Sequence, residues 1–204
     1  MAAGWGTAYT TASNSAFITG LNVVFVHLFQ ALVMRLYSVE LAFSLVLAVG
    51  GLYMLTGPTG GFSFGEFLVL LSAFAWAAQV LIVSRFSGSD PFAFTFFEAL
   101  TATVMIIPDM LVYGNSLDVP AQALPYLAYL GLACTDAAFV LQVYGQRGVS
   151  PATAAIIYLL EPVIAAAIAA AMLGEHMSTL QAIGAAAILA SLAVAARAEA
   201  RREG

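Results

Sequence analysis

Seven stretches of this chain are apolar enough to cross a bilayer, and nothing else in the sequence restricts the fold as strongly. A crossing helix needs about 17–25 mostly apolar residues. Such runs occupy residues 15–34, 41–56, 67–84, 91–113, 123–143, 151–173 and 179–196, the second being short and expected to borrow from its flanks. Lipid offers backbone amides no partner, so spans of this kind must be helices. The expectation is an all-α polytopic membrane bundle of about seven transmembrane helices. Composition agrees: 62% of the 204 residues are hydrophobic and 8% charged, against about 25% charged in a soluble domain, and mean hydropathy is +0.97.

Turn signals such as "TGPTGG", "SGSDP" and "YGNSLDVP" separate the runs, and Asp90-Pro91 and Ser150-Pro151 each have the pattern of an N-cap followed by proline at the first helical position. The net charge of −5 arises from few charges of either sign and does not favour nucleic acid as a partner. "MAAGWGTAYTTASNS" has neither a basic region nor a cleavage site, so no cleavable signal is expected. There is no lysine, and the arginines, at 35, 85, 147, 197, 201 and 202, follow the first, third, fifth and seventh segments. Alternating topology puts them all on one face, which the positive-inside rule makes cytoplasmic. The N-terminus is then outside and the C-terminus inside, in an inner or plasma membrane.

"TTASNSAFITGLNVVFV" from Thr10 resembles "VSPATAAIIYLLEPVIA" from Val149, with Ala16, Ile18, Leu21 and Val24 recurring as Ala155, Ile157, Leu160 and Val163. That register sets Asn22 against Glu161. The two segments run in opposite directions, so segments one and two read as an inverted copy of six and seven, as in many transporters. If segments three to seven are one five-helix unit, three helices of the other are absent. The chain is then a truncated form or one that completes itself by pairing.

The strings "TTASNSAFITGLNVVFV", "GEFLVLLSAFAWAAQVLIVSRF", "LGLACTDAAFVLQVYGQRGVSPATAAIIYLLEPVIAAAIAAAMLGE" and "QAIGAAAILA" resemble the EamA family of the drug/metabolite transporter superfamily. The resemblance implies ten helices in two inverted five-helix repeats around a central cavity, and export of amino acids or other small metabolites. It implies a division into 1–57, the last two helices of a first repeat, 58–64, an inter-repeat loop, 65–197, a complete second repeat, and 198–204, a cytoplasmic tail. The chain departs from the family in lacking the first two helices and most of the third. It also has Leu36 where a glutamate is frequent and Asp136 where the family is usually apolar.

Counting 1.5 Å per residue from the cytoplasmic end puts Glu98 at roughly 11 Å, His27 at about 12 Å, Asp136 at about 14 Å and Glu161 at about 15 Å. Gln79 is shallower and Asn22 deeper. Polar groups from five segments at similar depth point to a wet or substrate-bearing cavity, because ionisable groups in a bundle face its interior. Pro162, next to Glu161, removes a helix hydrogen bond and crowds the carbonyl of Tyr158, making a polar notch. The opposing view is a kink required for packing alone. Tyr158, Phe25 and Trp76 are candidates to shape a pocket or to pack. Asn22, Gln79 and Gln142 are equally read as interhelical glue. The carboxylates have no resident cation at depth other than His27, which leaves two readings, proton-coupled exchange or recognition of an amine-bearing substrate. The substrate-binding set is thus Glu161, Pro162, Tyr158, Glu98, Asp136, Asn22, His27, Gln79 and Trp76.

Neither cofactor nor metal is expected: Cys134 is the single cysteine, and Glu175 with His176 falls in a loop. Asp109 is placed near the interface. A retinal photoreceptor needs a lysine, and no Gly-x-Ser-x-Gly, His-Glu-x-x-His or Ser-x-x-Lys pattern nominates an enzyme nucleophile. The partners expected are a small-molecule substrate, the bilayer, and either a second copy or a separate N-terminal half. The rival reading is a membrane subunit without transport of its own.

Overall fold

The computed structural model describes residues 6, 8–35, 38–58, 63–113, 120–173 and 178–203. Leu36, Glu175 and His176 lie outside these residues, as does the side chain of Asp109. Each of the seven apolar segments coincides with helix, and no strand occurs among the described residues. The helices are α1 (Ala12–Gly20), α2 (Asn22–Leu32), α3 (Val39–Thr56), α4 (Phe64–Phe86), α5 (Pro91–Tyr113), α6 (Leu124–Tyr129), α7 (Ala138–Gly145), α8 (Pro151–Tyr158), α9 (Leu160–Leu173) and α10 (Thr179–Glu203). Six stretches are long and apolar enough to cross a membrane: Ser13–Leu32, Val39–Thr56, Phe64–Phe86, Ala121–Gly148, Pro151–Ile168 and Thr179–Ala198. In the remaining one, α5, the apolar part among the described residues is Pro91–Ile107.

Side-chain caps start most of these helices. Thr11 Oγ1 accepts from the Asn14 amide at 3.1 Å, Ser38 Oγ from Leu41 at 3.3 Å, and Ser150 Oγ from Thr153 at 3.3 Å. Asp90 Oδ1 accepts from Phe92 at 3.2 Å. Ser178 and Gln181 form a reciprocal box, Ser178 N–H donating to Gln181 Oε1 at 2.9 Å and Gln181 N–H to Ser178 Oγ at 3.2 Å. Gly57 ends α3 with φ 56°, a left-handed cap that only glycine adopts without strain.

The chain forms two compact units, residues 1–82 with 149–204 and residues 83–148. In the first, α3 packs along α10 and α2 packs on α8. Val23, Val26, Leu41, Ala48, Leu52, Ile156 and Ile188 are fully buried between them. In lipid, burial of apolar surface does not drive association, so close approach through small residues must. Gly51 and Gly184 supply it. A Cβ on Gly184 would lie 2.6 Å from the Gly51 carbonyl oxygen, and one on Gly51 would lie 2.7 Å from that of Gly184. The glycine of "GAAAILA" thus meets the second segment.

In the second unit, α5 packs on α7. Arg147 donates through Nε to the Ser87 carbonyl at 2.7 Å and through Nη2 to that of Ser89 at 2.9 Å. Ser84 Oγ donates to Gln146 Oε1 at 2.8 Å. The fifth segment departs from the regular α-helix expected of it: Leu130–Ala137 is π-helical. Thr135 Oγ1 donates to the carbonyl five residues back, that of Leu130, at 3.0 Å, which matches the wider turn.

Candidate functional site

Two of the spans are broken in the middle, and the breaks build the site. The first segment turns at Leu21 (φ −65°, ψ −5°) and the sixth at Leu159 (φ −68°, ψ −5°). Pro162 therefore falls in the first turn of α9, where its missing N–H leaves no gap. The crowding expected at Tyr158 is relieved because the helix has already turned one residue later. The first break has no proline, and its cause is legible only in the packing around Gly20. A Cβ there would lie 2.5 Å from Leu52 Cδ2 and 3.3 Å from Leu159 Cδ2.

A cavity of about 520 Å³ lies against both breaks. Asn22, Tyr158, Glu161 and Pro162 line it, with Thr19, Gly20 and Leu159. It runs to the end of the bundle formed by Ser13, Thr56 and Gln181. Its side wall includes Leu55, Ala165 and Ala166. None of its lining comes from the opposite end, where Val23, Val26, Ala152, Ala155 and Ile156 close the bundle. There the buried Gln30 side chain accepts the Ala152 amide at 2.9 Å, tying α2 to the start of α8. Among the described residues the cavity reaches one end of the bundle, and buried side chains fill the other.

Glu161 is, among the described residues, the one carboxylate in this lining. Among the described residues its carboxylate has neither hydrogen bond nor ion pair, the one ion pair found there being Arg201 to Glu40 at 3.1 Å, far toward the closed end. Asn22 Oδ1 is buried and takes no hydrogen bond from a described residue. Tyr158, Glu161 and Ala165 also border an apolar groove with Ile157, Leu160, Ile164 and Ile168.

The other candidates stand elsewhere. His27 is 1% exposed, its Nδ1 2.8 Å from the Val23 carbonyl, and belongs to the closed end. Gln79 and Trp76 are on α4 and do not line the cavity. Phe25 packs edge-on against Phe74. Glu98 and Asp136 belong to the second unit, Asp136 within the π-helical stretch. Among the described residues no group of three His, Cys, Asp or Glu side chains is arranged for a metal.

The structure also brings out a residue that the sequence reading passed over. Glu66 is 6% exposed. Its Oε2 accepts from the Ser63 amide at 2.9 Å and from the Ser63 hydroxyl, and its Oε1 accepts from Asn14 Nδ2 at 3.1 Å and from the Thr10 hydroxyl. It joins the start of α4 to the start of α1. The signal was present: "SFGE" at 63–66 is a capping box.

The model of the EamA-like transporter family matches residues 63–197. An uncharacterized transporter of Archaeoglobus fulgidus is 28% identical over 191 residues, which are 93% of this chain and 62% of the relative. A second from that organism is 26% identical over 92% of this chain and 68% of its own length. One from Methanothermobacter thermautotrophicus is 24% identical over 87% of this chain and 54% of its own. The chain thus spans less than two thirds of the first of these relatives. A crystal structure 18% identical in sequence superposes with a TM-score of 0.76 over 94% of this chain and 70% of its own, a likeness of fold.

Proposed function

Because the chain belongs to the EamA-like transporter family, and is a multi-pass membrane protein with six candidate spans, we propose that it carries small metabolites, amino acids among them, out of the cell through the cavity at the two helix breaks. The family is one of transporters and not of enzymes. The observation that supports the reading best is that Glu161 and Asn22 line one cavity at these breaks, which reaches one end of the bundle. Irregular backbone at membrane depth is tolerated where it lines a cavity, and broken helices facing each other across a repeat are a transporter arrangement. With the arginine-rich face cytoplasmic and the C-terminus inside, the open end is external. Glu161 exchanges a proton during the cycle, which couples export to the pH gradient.

A second reading is favoured by the chain's covering 62% of the first relative's length: a membrane subunit that transports only with a second copy or a separate N-terminal half. Flux of a labelled amino-acid mixture in vesicles holding the purified chain separates the two. Flux that follows an imposed pH gradient, and loses that dependence in Glu161→Gln, supports the carrier. Absent flux from the chain alone supports the subunit. Unchanged flux and pH dependence in the variant would count against Glu161 as the coupling group.

A further inference from the structure

The lining of the cavity is chemically one-sided. Its charge is a single carboxylate, Glu161, and its buried unmet group is an acceptor, Asn22 Oδ1. Among the described residues no arginine contributes to the lining, and the chain has no lysine. Glu161 is exposed, and at membrane depth an ionised carboxylate needs water or a cationic donor, while a buried acceptor without a donor is costly. A solute recognised through its own carboxylate would meet repulsion and no counter-charge. A neutral solute would leave Glu161 unpaired. A divalent metal ion is disfavoured, since calcium takes 6–8 oxygen ligands and the lining offers one carboxylate. An ammonium group satisfies both acceptors at once. Ala16, Leu55, Pro162, Ala165 and Ala166 form an apolar part of the wall, beside the neutral polar Ser13, Thr19, Thr56, Tyr158 and Gln181, and about 520 Å³ is in the range that holds a small organic molecule.

Resting on the transport reading of this cavity, we propose that its solute presents an ammonium group, seated between the Glu161 carboxylate and Asn22 Oδ1, with an apolar body along Leu55, Ala165 and Ala166. Charge complementarity selects the class, and the apolar wall selects amines that carry hydrocarbon.

The test is equilibrium binding of radiolabelled phenethylamine to the purified chain in phosphatidylcholine vesicles, which contain no primary amine. Saturable binding is expected, displaced by unlabelled amine and not by a hundredfold excess of 2-phenylethanol or 3-phenylpropionate. This competition needs no variant. Glu161→Gln should weaken binding roughly 10- to 100-fold and Asn22→Leu about tenfold, the range for hydrogen bonds to a charged group. Both variants should keep the wild-type melting temperature within a few degrees. The proposal is overturned by equal displacement with the alcohol or the acid, by undiminished binding in a folded Glu161→Gln, or by no saturable binding at all. Flux of the amino-acid mixture is measured in the same vesicles. Flux without amine binding overturns this inference and leaves the transport reading standing, and amine binding without flux does the reverse.

Discussion

Leu21 and Leu159 hold nearly the same backbone conformation in two different spans, and each donates its amide to the carbonyl three residues back, Ile18 and Ile156, at 3.1 Å. Gly20 brings the two turns together. Proline accompanies the second alone, so the bend does not originate in proline. Pro162 instead prevents α8 and α9 from merging into one straight helix, because it cannot supply the bond that would close the gap. Pro162→Ala is expected to alter stability by no more than about 1 kcal/mol while lowering flux severalfold. Thermal melting and vesicle flux measured side by side check this, and a large loss of stability with normal flux would contradict it.

Gln30 is expected to hold the closed end shut. Gln30→Leu leaves the buried Ala152 amide without this acceptor, a loss of about 1–3 kcal/mol. In a Cys134→Ala background, Ala155→Cys, whose parent residue is fully buried, should then react with a membrane-impermeant thiol reagent several times faster than with Gln30 intact. Equal labelling rates would show that Gln30 has no part in the closure.

Gly184 meets backbone, which cannot give way as a flexible side chain can. Gly184→Ala should cost about 1–3 kcal/mol, against little change for Gly50→Ala, where an added Cβ meets nothing within 4 Å. Melting temperatures in detergent compare the two.

Glu66 joins two helix starts through four donors, so Glu66→Ala should lower stability by about 2–3 kcal/mol, and Asn14→Ala by less. Glu66→Gln, which keeps one carbonyl acceptor, should fall between wild type and Glu66→Ala. A ranking of melting temperatures tests the order.

The spans were legible because lipid permits little besides an apolar helix, and Glu161 and Asn22 were legible as candidates because they interrupt such helices. The break at Leu21 was not, since "TGLNV" holds no proline and the turn depends on Gly20 meeting Leu52 and Leu159, residues 32 and 139 positions away by number. Depth alone grouped His27 with Glu161, yet His27 is buried with its Nδ1 2.8 Å from the Val23 carbonyl of its own helix and does not line the cavity. Depth also carries no information on which residues share a unit, and Glu98 and Asp136 belong to the second. Glu66 was overlooked because it stands at a helix start rather than in the middle of a span.

Blocking the cavity tests its role as the pathway most directly. Ala165 lines the wall beside Glu161 and is exposed, so Ala165→Trp fills the space without displacing buried side chains. The measurement is solute flux through vesicles holding wild type or Ala165→Trp at equal amounts of folded protein. Flux abolished or reduced at least tenfold in the variant is the expected result. Wild-type flux through a chain whose cavity is filled would contradict it.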